Sequence, residues 1–501
     1  MIVTGGAAVG TARNACAGSG AFLYQRHRPE KTLLYQLVSK YYPAFRQQLA
    51  EEGRILPGYV QREFEDYLKC GRLEHGFLRV RCENCHEERL VAFSCKHRGF
   101  CPSCGARRMA ESAALLVDEV LPHEPIRQWV LSLPFQLRFL LASRPAITGQ
   151  VLGIVYRVIS THLVKKAGYS KKTARTGAVT LIQRFGSALN LNIHFHMLFL
   201  DGVYVDRLDG SARFRWVSSP TTQELTQLTQ TIARRIGRYL ERQGLLERDA
   251  ENSYLTTDAV SEDPMNQLLG HSITYRIAVG PQIGRKVFTL QTLPTCEPDD
   301  YADTAGKISG FSLHAGVAAR SDERKKLERL CRYISRPAVS EKRLSLTPNG
   351  NIRYQLKTPY RDGTTHVIFE PLDFMARLAA LVPRPRANLT RFHGVFAPNS
   401  KHRALVTPSK RGKSAKRQIN GEERSPVEQH ASMTWAQRLK RVFNIDVSTC
   451  DACGGAVKII ASIEDPVVIK LILAHLQRKA ESKEYNLLPE SRAPPQKSLF
   501  G

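Results

Sequence analysis

Asn192-Ile-His194-Phe-His196-Met-Leu-Phe-Leu-Asp201-Gly-Val-Tyr204 is the stretch that decides how this chain folds. Its alternation over 192–200 predicts a β-strand, whose period of two puts His194 and His196 side by side on one face and Phe195 on the other. Two imidazoles so placed can hold one divalent ion, which would polarise a phosphate oxygen and make its phosphorus more electrophilic. Taken alone, the triplet equally describes two ordinary histidines on a half-buried strand.

Working outward, alternation at 128–132 and 178–183 predicts two more strands, with a helical apolar pattern over 148–167 between them. Residues 218–250 read as a further helix, and strand-like segments follow at 272–279, 286–291, 352–357 and 365–369. Upstream, Leu49, Tyr59, Phe64, Tyr67 and Leu68 fall at mostly helical spacings broken near Pro57-Gly58, and Met109–Val120 is alanine- and leucine-rich like a helix.

Between these helices lie Cys82-Glu-Asn-Cys85 and Cys101-Pro-Ser-Cys104. Two CxxC knuckles are expected to supply four thiolates to one structural zinc ion, a closed shell that leaves no position for catalysis. Cys95, His86 and His97 are alternative ligands that the paired spacing disfavours. Lys96, Arg98, Arg107 and Arg108 surround the knuckles, as on a zinc ribbon that contacts DNA. A further pair, Cys450 and Cys453, is a candidate for a second zinc, with His475 available to complete it.

In Leu327-Glu-Arg-Leu-Cys-Arg-Tyr333-Ile-Ser-Arg-Pro337, Leu327, Leu330, Cys331 and Ile334 make an apolar helical stripe that Pro337 closes. Tyr333 flanks that stripe among Arg329, Arg332 and Arg336. It is either a phenol able to reach a phosphodiester or a packing tyrosine among solvated arginines.

The 501 residues allow two to four domains, and the net charge of +27 points to a polyanionic partner. The eleven cysteines, unevenly clustered and without an export signal, favour metal sites over disulfides. No apolar run approaches the roughly 18–20 residues of a membrane span. Arg411-Gly-Lys-Ser414 ends like a P-loop, but Thr407 stands where that motif needs glycine, so no nucleoside triphosphate site is expected. Residues 1–25 read as a disordered lead-in whose start is open to question. The tract 399–432 reads as a basic linker, and 433–501 as a small C-terminal CxxC unit with a tail.

In this order the segments resemble the rolling-circle transposases of the insertion-sequence common-region group, within the HUH endonuclease superfamily. The resemblance runs through Glu63–Gly71, Phe93–Arg108, Gln183–Asn192 with the histidine pair, Arg332–Pro337, Arg391–Asn399 and Cys450–Gly455. It implies an α+β fold: a ferredoxin-like antiparallel core over 111–398, with the strands flanking Gly186 to Asn190 as a hairpin, preceded by a helical and zinc-binding domain over 26–110. His194 and His196 would bind catalytic Mg²⁺ or Mn²⁺, with Gln183 or Asp201 as third ligand. Tyr333 would attack single-stranded DNA at a mobile-element end, leaving a 5′-phosphotyrosine and a free 3′ hydroxyl. Arg98, Arg107, Arg108, Arg184, Arg329, Arg332 and Arg336 would contact the DNA, in a bacterial, nucleoid-associated cytoplasmic setting. Relatives with two tyrosines would carry the second at position 329, which here is Arg329, so the single-tyrosine type is implied; Tyr354 and Tyr360 lack a catalytic context. The alternatives are a non-catalytic zinc-containing DNA-binding protein, or a replication initiator or relaxase that uses the same nicking chemistry.

Overall fold

In the computed structural model, which describes residues 28–248, 253–255, 263–293, 306–410 and 448–485, the alternating stretch is a strand, Leu191–Leu200, inside a six-stranded antiparallel sheet. Across the sheet the strands run Gly306–Ile308, Phe311–Ala319, Ile126–Ser132, Leu191–Leu200, Gly177–Phe185 and Thr390–Gly394. The hairpin Gly177–Phe185 to Leu191–Leu200 forms as expected, with Gln183 opposite His194 and Leu181 opposite His196. Taking Ile126–Ser132, Gly177–Phe185, Leu191–Leu200 and Phe311–Ala319 as first to fourth in the chain, their order in the sheet is fourth-first-third-second. Helices join the first to the second and the third to the fourth, which is the β-α-β-β-α-β ferredoxin-like arrangement.

The pleat divides the histidine strand between two cores. Phe195, Met197 and Phe199 join Trp129 and Leu131 in the larger core, under the helices Pro145–Lys166 and Thr222–Arg242. Leu198 and Leu200 point the other way, where Val179, Leu181, Leu327, Cys331 and Ile334 form the second core. The helix Arg324–Ile334 therefore lies on the histidine face, its stripe buried as the spacing of Leu327, Cys331 and Ile334 requires. Pro145–Lys166 has the length and apolar composition of a membrane span, but half of that stretch is buried within the protein. The helix Thr222–Arg242 starts with a capping box between Thr221 and Glu224, the reason it begins where the polar run 218–221 ends.

Several sequence expectations need correction. Residues 272–279 are not a strand: the helix Pro264–Ile273 runs into them, and Arg276 makes only an isolated bridge to Lys286. The first part of the expected linker is folded, because Val406 is buried in the second core and Ser409 N donates to the Glu119 carbonyl. The C-terminal cysteine segment is no separate unit either. Its strand Val457–Ile463 pairs with Phe77–Cys82, which pairs in turn with Glu88–Ala92. The lead-in 1–25 and the P-loop-like Arg411–Ser414 lie outside the described residues.

Candidate active site and cysteine clusters

His194 and His196 stand with ring centres 4.9 Å apart. His194 Nδ1 lies 2.9 Å from its own strand's Asn192 carbonyl, so Nδ1 carries the proton and Nε2 keeps its lone pair. His196 Nδ1 lies 2.6 Å from the side-chain amide of Gln128, on the neighbouring strand. The facing atom is Gln128 Nε2, a donor, so as placed Nδ1 accepts and the contact fixes the ring's orientation; coordination through Nε2 requires the amide turned over, with its oxygen taking the Nδ1–H. Burial, with Arg336 and Arg138 nearby, pushes His194 down to about 4. Burial, His194 and Arg336 push His196 down to about 3. Both rings are neutral at pH 7, as ligands must be.

The two proposed third ligands part company. Gln183 lies directly across from His194, its Nε2 donating to the Ile334 carbonyl at 2.8 Å, while its Oε1 is buried without a hydrogen-bond partner. An orphaned buried acceptor is costly unless something occupies it, so this amide fits a metal ligand. Asp201 does not fit. It is five residues beyond His196, roughly 17 Å along an extended strand, and is gripped by Nε and Nη2 of Arg127 at 2.8 and 2.7 Å. Among the described residues no carboxylate, cysteine or third histidine completes a group with the two imidazoles.

Tyr333, at the exposed flank of its helix, has its ring centre 6.4 Å from that of His196. Lys357 Nζ sits 4.0 Å from the ring centre and the Arg336 guanidinium 4.2 Å from it. Partial burial opposes ionisation of the phenol, but Arg336 and Lys357 outweigh it and hold the pKa below its ordinary value. A cavity of about 500 Å³ opens here, lined by Tyr333, Phe185, Arg336, Arg343, Lys357 and Tyr360. A second, of about 280 Å³, continues past Arg336 to Gln183, Arg184, Arg98 and Arg108.

The zinc expectation is corrected in its grouping. Cys101 and Cys104 meet Cys70 and Cys95, whereas Cys82 and Cys85 meet Cys450 and Cys453. The hairpin explains this. Cys82 and Cys85 are at its tip, while Cys70 and Cys95 flank its base, where Gly71 N donates to Phe93 O and Phe93 N to Gly76 O. The strand Phe77–Cys82 keeps the ends roughly 20 Å apart. In the base cluster the Sγ–Sγ distances are 3.8 Å for Cys70–Cys101, 3.7 Å for Cys70–Cys104 and 3.4 Å for Cys95–Cys104. A zinc–sulfur distance of about 2.3 Å places tetrahedral thiolates about 3.8 Å apart, so these fit the ion. His97 is no ligand, because its ring lies against Glu63 and Asp66. His86 takes no part in either cluster, and His475 is exposed on the C-terminal helix.

Two family comparisons match the chain: "Transposase zinc-binding domain" over residues 37–133 and "Putative transposase" (Y2_Tnp) over 177–404. The first encloses the base cysteine cluster, and the second encloses the histidine pair and Tyr333. Together the two match an IS91-type transposase. No curated protein and no solved structure matches it.

As a transposase it is a nucleic-acid-processing enzyme that binds DNA, and its N-terminal domain binds zinc. The transposase's zinc helix Pro102–Leu115 reaches the tyrosine segment directly: a Cβ on Gly105 would stand 2.6 Å from Pro337 Cβ. Of the arginines expected to touch DNA, Arg98, Arg108, Arg184 and Arg336 converge on the smaller cavity. Arg107 donates instead to Ser94 Oγ, and Arg329 and Arg332 line neither cavity. Tyr360 shares the Tyr333 cavity, whereas Tyr354 is fully buried. Sequence reading missed Gln128, whose place in the alternating run 128–132, on the face of Val130 and opposite to Trp129 and Leu131, was the available signal. It also missed Lys357 and Arg343, which lie in no motif.

Proposed function

We propose that this transposase nicks and rejoins single-stranded DNA at the ends of a mobile element. The observation that carries the proposal is the meeting of Tyr333 with the histidine pair on one face of the sheet, from segments 137 positions apart in the chain. Tyr333 Oη attacks a backbone phosphorus, the P–O3′ bond breaks, and the departing O3′ takes a proton. The phenol proton passes to solvent, eased by the two cations beside the ring. The product is a 5′-phosphotyrosine with a free 3′ hydroxyl. Attack by a 3′ hydroxyl on that link reverses the step with no external energy source.

His194 Nε2, His196 Nε2 and Gln183 Oε1 would hold Mg²⁺ or Mn²⁺. Such an ion, when bound, polarises the phosphate and stabilises charge in the transition state. Gln128 and the Asn192 carbonyl keep the rings oriented. Arg336, Arg343 and Lys357 neutralise the backbone, and the faces of Phe185 and Tyr360 can take unstacked bases, the combination by which grooves bind single strands. In domain terms, residues 26–110 would anchor DNA and 111–398 would cut it. Incubation with pooled single-stranded end oligonucleotides and Mn²⁺, followed by a denaturing gel, tests this: a metal-dependent covalent band is expected, and tight binding with no band under any metal overturns it.

A further inference from the structure

The second cysteine cluster lies only half inside the zinc-binding-domain match, since Cys450 and Cys453 are far beyond residue 133. Cys82 and Cys453 bring their sulfurs to 3.5 Å across 371 positions, and Cys85 and Cys450 to 3.5 Å across 365. All four sulfurs lie within 4.8 Å of one another. All four are free thiols, at separations well beyond the roughly 2.05 Å of a disulfide and close to the edge of a zinc–thiolate tetrahedron. We propose that Cys82, Cys85, Cys450 and Cys453 hold a second zinc ion, which clasps the C-terminal segment to the N-terminal hairpin.

The surroundings are built for such a clasp. Asn84 N donates to Cys82 Sγ at 3.4 Å, as in a metal knuckle, and Glu83 N donates to the Ala456 carbonyl at 2.9 Å. Arg89 bridges to Asp451 at 2.6 Å and to the Thr449 carbonyl at 3.0 Å. Gly455 passes so close that a Cβ there would stand 2.7 Å from Asn84 Nδ2, so the two knuckles interlock.

Apolar burial contributes little to the docking, since on the helix that follows the strand Ile469 is the one buried residue among those described. No residue of the strand Val457–Ile463 is buried, and Ile459 is 64% exposed. A bare strand pairing of that kind is marginal in water, and here it must also close a loop of several hundred residues. A four-thiolate ion supplies the missing free energy, because metal binding to such a site is folding free energy. The consequence is architectural: the far end of the chain is a third strand of the N-terminal zinc module.

The test uses the full chain with a protease site inserted within 411–432. Zinc is counted by elemental analysis, and the cleaved protein is run on size exclusion under reducing conditions. The wild type is expected to carry two zinc ions and its cleaved fragments to co-elute, separating when a chelator strips the metal. The Cys450→Ser/Cys453→Ser variant should carry one zinc, the retained ion showing that the base cluster is intact, and should release its fragment on cleavage. Two zinc ions in that variant, one in the wild type, or a fragment that stays bound to the variant would each overturn the proposal. Cobalt titration of metal-free wild type needs no substitution: two equivalents of tetrahedral thiolate absorption are expected, and saturation at one would refute the second site.

Discussion

Lys357→Met removes one of the two cations that flank Tyr333. Nζ sits 4.0 Å from the ring centre, and for unit charges about 4 Å apart Coulomb's law gives about 1 kcal/mol in water and about 4 kcal/mol at an effective dielectric of 20. Because Tyr333 is 41% exposed, the watery end of that range applies. About 1 kcal/mol is expected, or about a fivefold loss in rate. The assay is single-turnover adduct formation at saturating DNA as a function of pH. Removing the cation raises the phenol pKa, so the loss is full at neutral pH and fades as pH rises through that pKa. Lys357→Arg should stay close to wild type. An unchanged rate and profile, or a deficit made good by more DNA, would refute the assignment of Lys357 to the nucleophile.

Other consequences are as direct. Gln183→Ala should raise the Mn²⁺ concentration for half-maximal nicking by about tenfold, with saturating metal restoring much of the rate; an unmoved midpoint removes Gln183 from the metal shell. His194 and His196 titrate at about 4 and 3 in the folded chain, below an ordinary histidine. The unfolded chain therefore binds more protons, and their contribution to stability is lost as pH falls from about 6.5 toward 4. A His194→Asn/His196→Asn variant should lose less stability than wild type over that window in chemical denaturation; equal losses would contradict the depressed values. Gly105→Ala should force Pro337 away and destabilise the protein by about 1–3 kcal/mol, lowering Tm and adduct yield together, whereas an unaltered Tm would show that the zinc helix and the tyrosine segment are not in contact.

How much of this was legible in the sequence depended on the range of the signal. The period-two alternation of 192–200 is local, and it placed both histidines on one face and Phe195 on the other, as found. The stripe of Leu327, Cys331 and Ile334 likewise gave the tyrosine helix its buried side. The cysteine grouping was not local. CxxC spacing says that two thiolates share an ion, but not which other two complete it, and here the answer lay in single cysteines at the hairpin base and in a pair at the far end of the chain. Asp201 looked like a ligand only because it is near the histidines in sequence; an extended strand carries it away and hands it to Arg127. Gln128 and Lys357 reach the site by strand pairing and by a loop after Ile352–Gln355, so no spacing within a motif could have announced them.

The most direct measurement is the identity of the residue that carries the DNA. Wild-type protein is incubated with end oligonucleotide and Mn²⁺, digested, and the nucleotide-bearing peptide is sequenced by mass spectrometry. A 5′-phosphate ester on Tyr333 is expected, formed only with metal and absent from Tyr333→Phe, which still binds the oligonucleotide. A link on another residue, or an adduct of wild-type yield in Tyr333→Phe, would contradict it.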